Sequence, residues 1–339
     1  MSNPQVLGGI YDAGVGVSNL IREISYWSLF GYHEVERGHL SAQSAKALYG
    51  VDSALTSVRL QHGEAEHSYV RLMVWETPLG AGLRYAPLRA SGSRWIVSKT
   101  RDFSEVLNHC ELAQDRGEDL FFTPPFFQLV PIDEARTEPF KGPITGYREF
   151  TIFRPESRQV IFKSFGYDRP SYGTYDNSCQ FRSTEFTHCG MFFVGVDDSA
   201  VAFYGNVLGL RREDLGSRVG RDTKGGRIQF PITDNERVHM IDFCDTRESS
   251  DDPKGWLPGR LKTFRLDPTS QNEDLRDVSR PGHLGVSLYT YRVENIEQTH
   301  RLVTQAGARN VTTIANDEFG ERAFSFVAPD GYFWTLIGA

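Results

Sequence analysis

The chain has 339 residues, 39% of them hydrophobic, and a net charge of −7. That length allows two domains, or one built from repeated units. The acidic balance without a basic tract argues against nucleic acid as a partner, and no apolar run approaches a membrane span. The opening Met1-Ser2-Asn3-Pro4-Gln5 lacks the charged start and apolar stretch of a secretory signal. Cys110, Cys179, Cys189 and Cys244 show no CxxC spacing and read as free thiols, so a cytoplasmic protein is expected.

A strand–helix–strands pattern recurs four times along the chain. In the first copy, Asp12 to Val17 is a short apolar strand. Ser18 is the expected N-cap, Leu20, Ile21, Ile24, Trp27, Leu29 and Phe30 form a helical stripe, and Gly31 closes it. Tyr69 to Trp75 reads as a later strand. The second copy begins with Arg94-Trp95-Ile96-Val97, continues through a capping box at Asp102 and Glu105, and ends its helix at Gly117. Strands follow at Phe150 to Phe153 and Val160 to Phe162, around a turn at Arg154-Pro155-Glu156-Ser157. A polar stretch rich in Gly and Tyr, Gly166 to Gln180, reads as an interdomain linker.

The third copy opens with Thr187-His188-Cys189-Gly190-Met191-Phe192-Phe193-Val194. Asp198 is the expected cap, Val201, Phe203, Tyr204, Val207 and Leu208 the stripe, and Gly209 the close. Gly225-Gly226 reads as a hairpin turn, with strands at Arg227 to Phe230 and Val238 to Phe243. The fourth copy opens with Gly282-His283-Leu284-Gly285-Val286. Asn295 caps its helix, with Gln298 three residues on, and Gly307 ends it. Ala323 to Val327, a turn at Pro329-Asp330-Gly331 and a strand from Tyr332 to Ile337 complete it. A βαβββ unit cannot bury its sheet alone. The expected fold class is therefore α+β, with four βαβββ modules paired into two curved-sheet domains. Residues 1–165 form one pair, 166–180 the linker, and 181–339 the second pair.

Histidines open the first strands of copies three and four, at His188 and His283, and His239 lies on a later strand of copy three. Imidazole is the commonest protein metal ligand near neutral pH, and ligands on separate strands can converge on one ion. A structural histidine at a strand start is the plain alternative for His188 and His283. For His239 three roles stay open: ligand, acid/base without ligation, or packing. Asp242 alternates to the opposite strand face and reads as structural. Glu318 and Glu321 could add a loop carboxylate, and Tyr289, Tyr291, Phe324 and Phe326 either line an aromatic pocket or pack in the core.

The pattern resembles the vicinal oxygen chelate superfamily, which includes glyoxalase, fosfomycin-resistance proteins and type I extradiol dioxygenases. The four-copy length is most similar to the extradiol enzymes. Phe203-Tyr204-Gly205-Asn206-Val207-Leu208-Gly209-Leu210 resembles the family's helix end. Asn235-Glu236-Arg237-Val238-His239 is similar to a segment carrying an acid/base histidine. The resemblance implies His188 and His283 as Fe(II) ligands, with Asp12 and Arg94 or Trp95 at the matching places of copies one and two, so that residues 1–165 are expected to be a structural, metal-free half and 181–339 to carry the site. The family's third ligand, a Glu, falls at Thr335, and other family site positions fall near Val327 and Arg322. His239 would complete a three-histidine set, also suited to Zn, Mn or Ni. Thr335, Tyr289 and Arg322 would line the substrate pocket.

The expected protein is thus a metalloenzyme of extradiol-dioxygenase type, acting on a small aromatic or phenolic compound, with His239 as catalytic residue or ligand. A homo-oligomer is expected. A non-redox lyase, isomerase or hydrolase on the same fold is the second expectation. A metal-free binding protein is the third.

Overall fold

The computed structural model describes residues 6–130, 137–245, 257–266 and 272–339. Module one comprises β1 (Val6–Gly16), α1 (Leu20–Ser28), β2 (Tyr32–Leu40), α2 (Ala42–Tyr49), β3 (Leu55–His62) and β4 (Tyr69–Trp75). Module two comprises β5 (Arg94–Thr100), α3 (Phe103–Asp115), β6 (Phe121–Phe122), β7 (Phe126–Leu129), β8 (Gly146–Arg154) and β9 (Ser157–Phe165). Module three comprises β10 (Ser183–Val194), α4 (Asp198–Asn206), β11 (Arg211–Val219), α5 (Lys224–Gln229), β12 (Arg237–Cys244) and β13 (Arg260–Leu266). Module four comprises β14 (Gly285–Val293), α6 (Ile296–Gln305), β15 (Ala315–Asn316), β16 (Arg322–Val327) and β17 (Phe333–Gly338). No helix among the described residues is long and apolar enough to cross a membrane.

Local chemistry sets the helix starts, sometimes one residue from the expected place. Asn19 rather than Ser18 caps α1, its side chain accepting from Arg22 N at 3.0 Å. Asp197 rather than Asp198 caps α4, accepting from Ala200 N at 3.0 Å. Asn295 caps α6 as expected, accepting from Gln298 N at 2.9 Å. Asp102 precedes α3 without capping it, because its carboxylate is drawn into an ion pair with Arg182. The Gly225-Gly226 pair is not a hairpin turn. Thr223 caps a short helix there, accepting from Gly226 N at 3.1 Å, and Arg227 to Gln229 continue it instead of forming a strand. A Cβ on Gly226 would lie 2.5 Å from Thr223 Cγ2, so the cap itself requires glycine.

The four modules pair into two curved sheets, but not in the expected order. One sheet runs β15-β16-β17-β14-β1-β4-β3-β2 and joins modules one and four. The other runs β11-β12-β13-β10-β5-β9-β8-β6, with β7 on β8, and joins modules two and three. The seams are antiparallel, β1 against β14 and β5 against β10. The division into residues 1–165 and 181–339 is corrected accordingly. Residues 166–182 connect β9 to β10 inside one sheet, while the chain changes sheets between β4 and β5 and again between β13 and β14. The physical reason is that each module exposes an equivalent first-strand edge, and contacts distant in sequence select the partner. Tyr289 donates to the carbonyls of Trp95 and Gly190, and Arg94 donates to those of Ser279, Ser287 and Phe333, clamping one sheet to the other.

The largest core cluster fills the space behind and between the sheets, with Trp27, Ile96, Met191, Tyr204, Tyr291, Phe324, Phe326 and Trp334 all at most 1% exposed. Tyr291, Phe324 and Phe326 therefore pack in the core. Each concave face carries its own smaller cluster.

Candidate functional site

The two hollows differ in what fills them. In the hollow of modules one and four, α2 lies across the concave face and packs Ala45, Leu48 and Tyr49 against Leu55, Met73, Trp75 and Ile337. Beneath it lies a buried charge network. Arg71 and Asp12 are both 0% exposed, and Arg71 Nε and Nη2 reach Asp12 Oδ2 at 2.9 and 2.5 Å. Arg71 Nη1 reaches Tyr49 Oη at 3.1 Å and Glu318 Oε1 at 3.3 Å. Thr290 donates to Asp12 at 2.8 Å, while Tyr49 and Ser57 donate to Glu318 at 2.8 and 2.7 Å. Arg59 adds a second guanidinium between Glu36 and Glu321. Arg71 has each of its guanidinium nitrogens paired, and the network fills the space beneath α2.

The hollow of modules two and three contains a cavity of about 380 Å³. Its wall is aromatic. Trp95 on β5, Phe230 after α5 and Phe264 on β13 meet with ring centroids 4.6–5.6 Å apart. Phe162 and Tyr172 close the other side at 5.1 Å. The polar floor comes from alternate residues of adjacent strands, as the two-residue strand period requires. His188 on β10 stands beside Arg260 on β13, and Lys262 follows on the same face, paired in register with Gly190. Asp242 on β12 faces both cations, 3.2 Å from Lys262 Nζ and 3.5 Å from Arg260 Nη1. Glu149 on β8 completes the floor.

The floor controls the protonation of its members. Burial, then the charges of Lys262 and Arg260, hold the His188 imidazole well below its usual pKa, so it is neutral at neutral pH. Thr187 Oγ1 lies 2.9 Å from His188 Nδ1 and 3.4 Å from the Val97 carbonyl. When the hydroxyl proton goes to the Val97 carbonyl, the hydroxyl oxygen accepts from Nδ1–H, and that tautomer leaves the lone pair on Nε2. Burial pushes the Glu149 carboxyl up to about 7, against the opposing pulls of Gln229 and Lys262.

The three histidines expected to share a metal are not brought together. His188 belongs to the sheet of modules two and three. His283 precedes β14 in the other sheet, bridged to Gly80. His239 shares a strand with Asp242 but points to the opposite face, where its Nε2 meets Asp214 at 3.1 Å. Among the described residues, no three His, Cys, Asp or Glu side chains form a metal-binding group. The error lies in one strand. β12 is the third strand of its module and β13 the last, so the last-strand position holds Arg260 and Lys262, not His239. Cations beside His188 repel a divalent ion, and the other hollow offers Asp12 and Glu318 already neutralised by Arg71. Among the described residues, the donor set of neither hollow fits a divalent metal.

The other expected pocket residues also lie elsewhere. Thr335 is 0% exposed and bonded to Ser325 at 2.7 Å in the first sheet. Tyr289 is buried at the junction of the sheets. Arg322 is exposed and pairs with Glu297 at 2.6 Å. The residues that do form the site and were not foreseen are Lys262, Arg260 and Glu149. Alternation in Arg260-Leu261-Lys262-Thr263-Phe264 was the available signal for the first two.

Residues 185–336 match the family model of the Glyoxalase/Bleomycin resistance protein/Dioxygenase superfamily. Glyoxalase I from Zea mays is similar in structure at 14% identity and a TM-score of 0.53, over 98% of this chain and 92% of that one. A candidate dioxygenase from Bacillus subtilis is similar at 11% identity and a TM-score of 0.56, over 99% and 86%. At these identities the likeness is one of fold. No curated protein gives a significant match to the chain.

Proposed function

We propose that the protein is a small-molecule enzyme working in the hollow of modules two and three, where it moves a proton on a planar aromatic compound. The observation that carries this reading is His188, held neutral with its Nδ1 against Thr187, beside Lys262 in an aromatic cavity. Nε2 would accept a proton from a carbon next to a carbonyl. The electron pair left behind moves to the carbonyl oxygen, and the ammonium of Lys262 stabilises that developing oxyanion. Returning the proton to the same or a conjugated carbon completes an exchange or isomerisation with no change of oxidation state. A positioned base of this kind contributes roughly 10²–10⁴-fold. This favours the non-redox reading over iron-dependent ring cleavage, which needs three ligands about one point.

The test is proton exchange in D2O across a panel of small aryl ketones, followed by NMR. Wild type exchanges the reactive hydrogen, and His188→Gln loses at least a hundredfold in rate. Equal rates in the two proteins would remove His188 from the reaction.

A further inference from the structure

His188 shares its hollow with a second titratable group, on the facing wall. His188 stands on β10 and Glu149 on β8, and both side chains line the cavity. β5 and β9 lie between them, which is three strand spacings, or roughly 14 Å along the sheet. The sheet curls, so the two side chains reach toward each other across the hollow. Lys262 on β13, one strand beyond His188, still acts on the Glu149 carboxyl from the far wall. The hydrogen-bond partner of that carboxyl is the neutral amide of Gln229, itself bonded to Thr151 Oγ1 at 3.2 Å. Burial favours the proton-bearing form of Glu149 and the proton-free form of His188, the reverse of their order in water. Two groups pushed apart in this way divide acid work from base work.

We infer that Glu149 is the acid of the proposed reaction, giving a proton to a carbon remote from the one that His188 deprotonates, on a β,γ-unsaturated aryl ketone. The inference rests on the proton step proposed at His188 and goes beyond it, since a base acting alone exchanges a proton without moving a double bond. The C–H bond next to the carbonyl breaks toward His188, and its electron pair spreads through carbonyl and alkene as a dienolate. The far carbon takes the Glu149 proton, a new C–H bond forms there, and the double bond moves into conjugation. Glu149 is left as carboxylate and His188 as imidazolium. Solvent carries the proton back from His188 to Glu149, and no oxidant or reductant is needed.

Allyl phenyl ketone in D2O, followed by NMR with wild type and with Glu149→Gln, tests it. One sample reads both deuterium next to the carbonyl and appearance of the conjugated propenyl ketone. Wild type is expected to produce both. In Glu149→Gln the ratio of isomerisation to exchange should fall at least tenfold, and Glu149→Asp, which keeps a carboxyl, should give a ratio between the two. An equal ratio in wild type and folded Glu149→Gln overturns Glu149 as the acid. Exchange without isomerisation in wild type overturns the inference and leaves the base role of His188 standing. No exchange above the uncatalysed rate in wild type overturns both readings.

Discussion

Replacing Arg71 by methionine should be among the most destabilising single changes in the protein. The guanidinium is 0% exposed and makes four contacts of 2.5–3.3 Å to Asp12, Tyr49 and Glu318. Removing one partner of a buried ion pair costs about 3–5 kcal/mol, because the other charge stays buried without compensation. The structure places this case near the lower end. Asp12 keeps Thr290 and has Arg59 Nε at 3.7 Å, and Glu318 keeps two hydroxyl donors. The expected loss is thus about 3 kcal/mol. Asp12→Asn should cost a similar amount. The double variant should cost clearly less than the sum, since it leaves no unpaired Asp12 charge, giving a coupling of about 2 kcal/mol. Urea unfolding of the four proteins at pH 7 measures the cycle. Additive losses, or a loss under 1 kcal/mol for Arg71→Met, would refute the view that this hollow is filled by a structural charge network.

Three further outcomes are expected. Gly190→Ala places a Cβ 1.9 Å from Trp95 Cε2 and must displace the indole that walls the cavity. A loss of about 1–3 kcal/mol in unfolding free energy, with weaker ligand binding, is expected, and wild-type values for both would show that Trp95 does not lie over Gly190. The pKa of Glu149 is raised, so the folded state holds a proton that the unfolded chain has lost between about pH 4.5 and 7. Its contribution to stability is full below the unfolded pKa and is lost as pH rises through 7. Glu149→Gln should flatten that fall in urea midpoints measured from pH 5 to 8, and an unchanged slope would count against a buried carboxyl here. Exhaustive chelation should leave the proton-exchange rate within twofold, because the step proposed at His188 calls only on His188 and Lys262; a tenfold loss would place a metal in the hollow.

The repeat and its secondary structure were legible because they are local. Asn295 and Gln298, the apolar stripes after each cap, and the alternating strands announce themselves within ten or so residues. Errors arose where a nearby side chain competes for a group, as Arg182 does for Asp102, or where neighbouring residues offer the same cap, as at Asp197 and Asp198. His188 was legible as a site residue, since a polar ring on an otherwise apolar strand face is conspicuous. Its companions were not, because reading β12 as the module's last strand concealed Arg260 and Lys262 on the strand beyond it.

The sequence by itself determined that the chain folds as four βαβββ modules joined into curved sheets, since each module's apolar strands and amphipathic helix demand a second module to cover them. Which modules join was decided only by tertiary structure. Module one meets four, and two meets three, because contacts such as Tyr289 to Gly190 and Asp12 to Thr290 span roughly a hundred residues or more, and no local pattern encodes them. That choice places His188 and His283 in different sheets and sets His188 among cations. One strand pairing thereby turns a set of apparent metal ligands into a single neutral base beside Lys262 and Arg260 in an aromatic hollow.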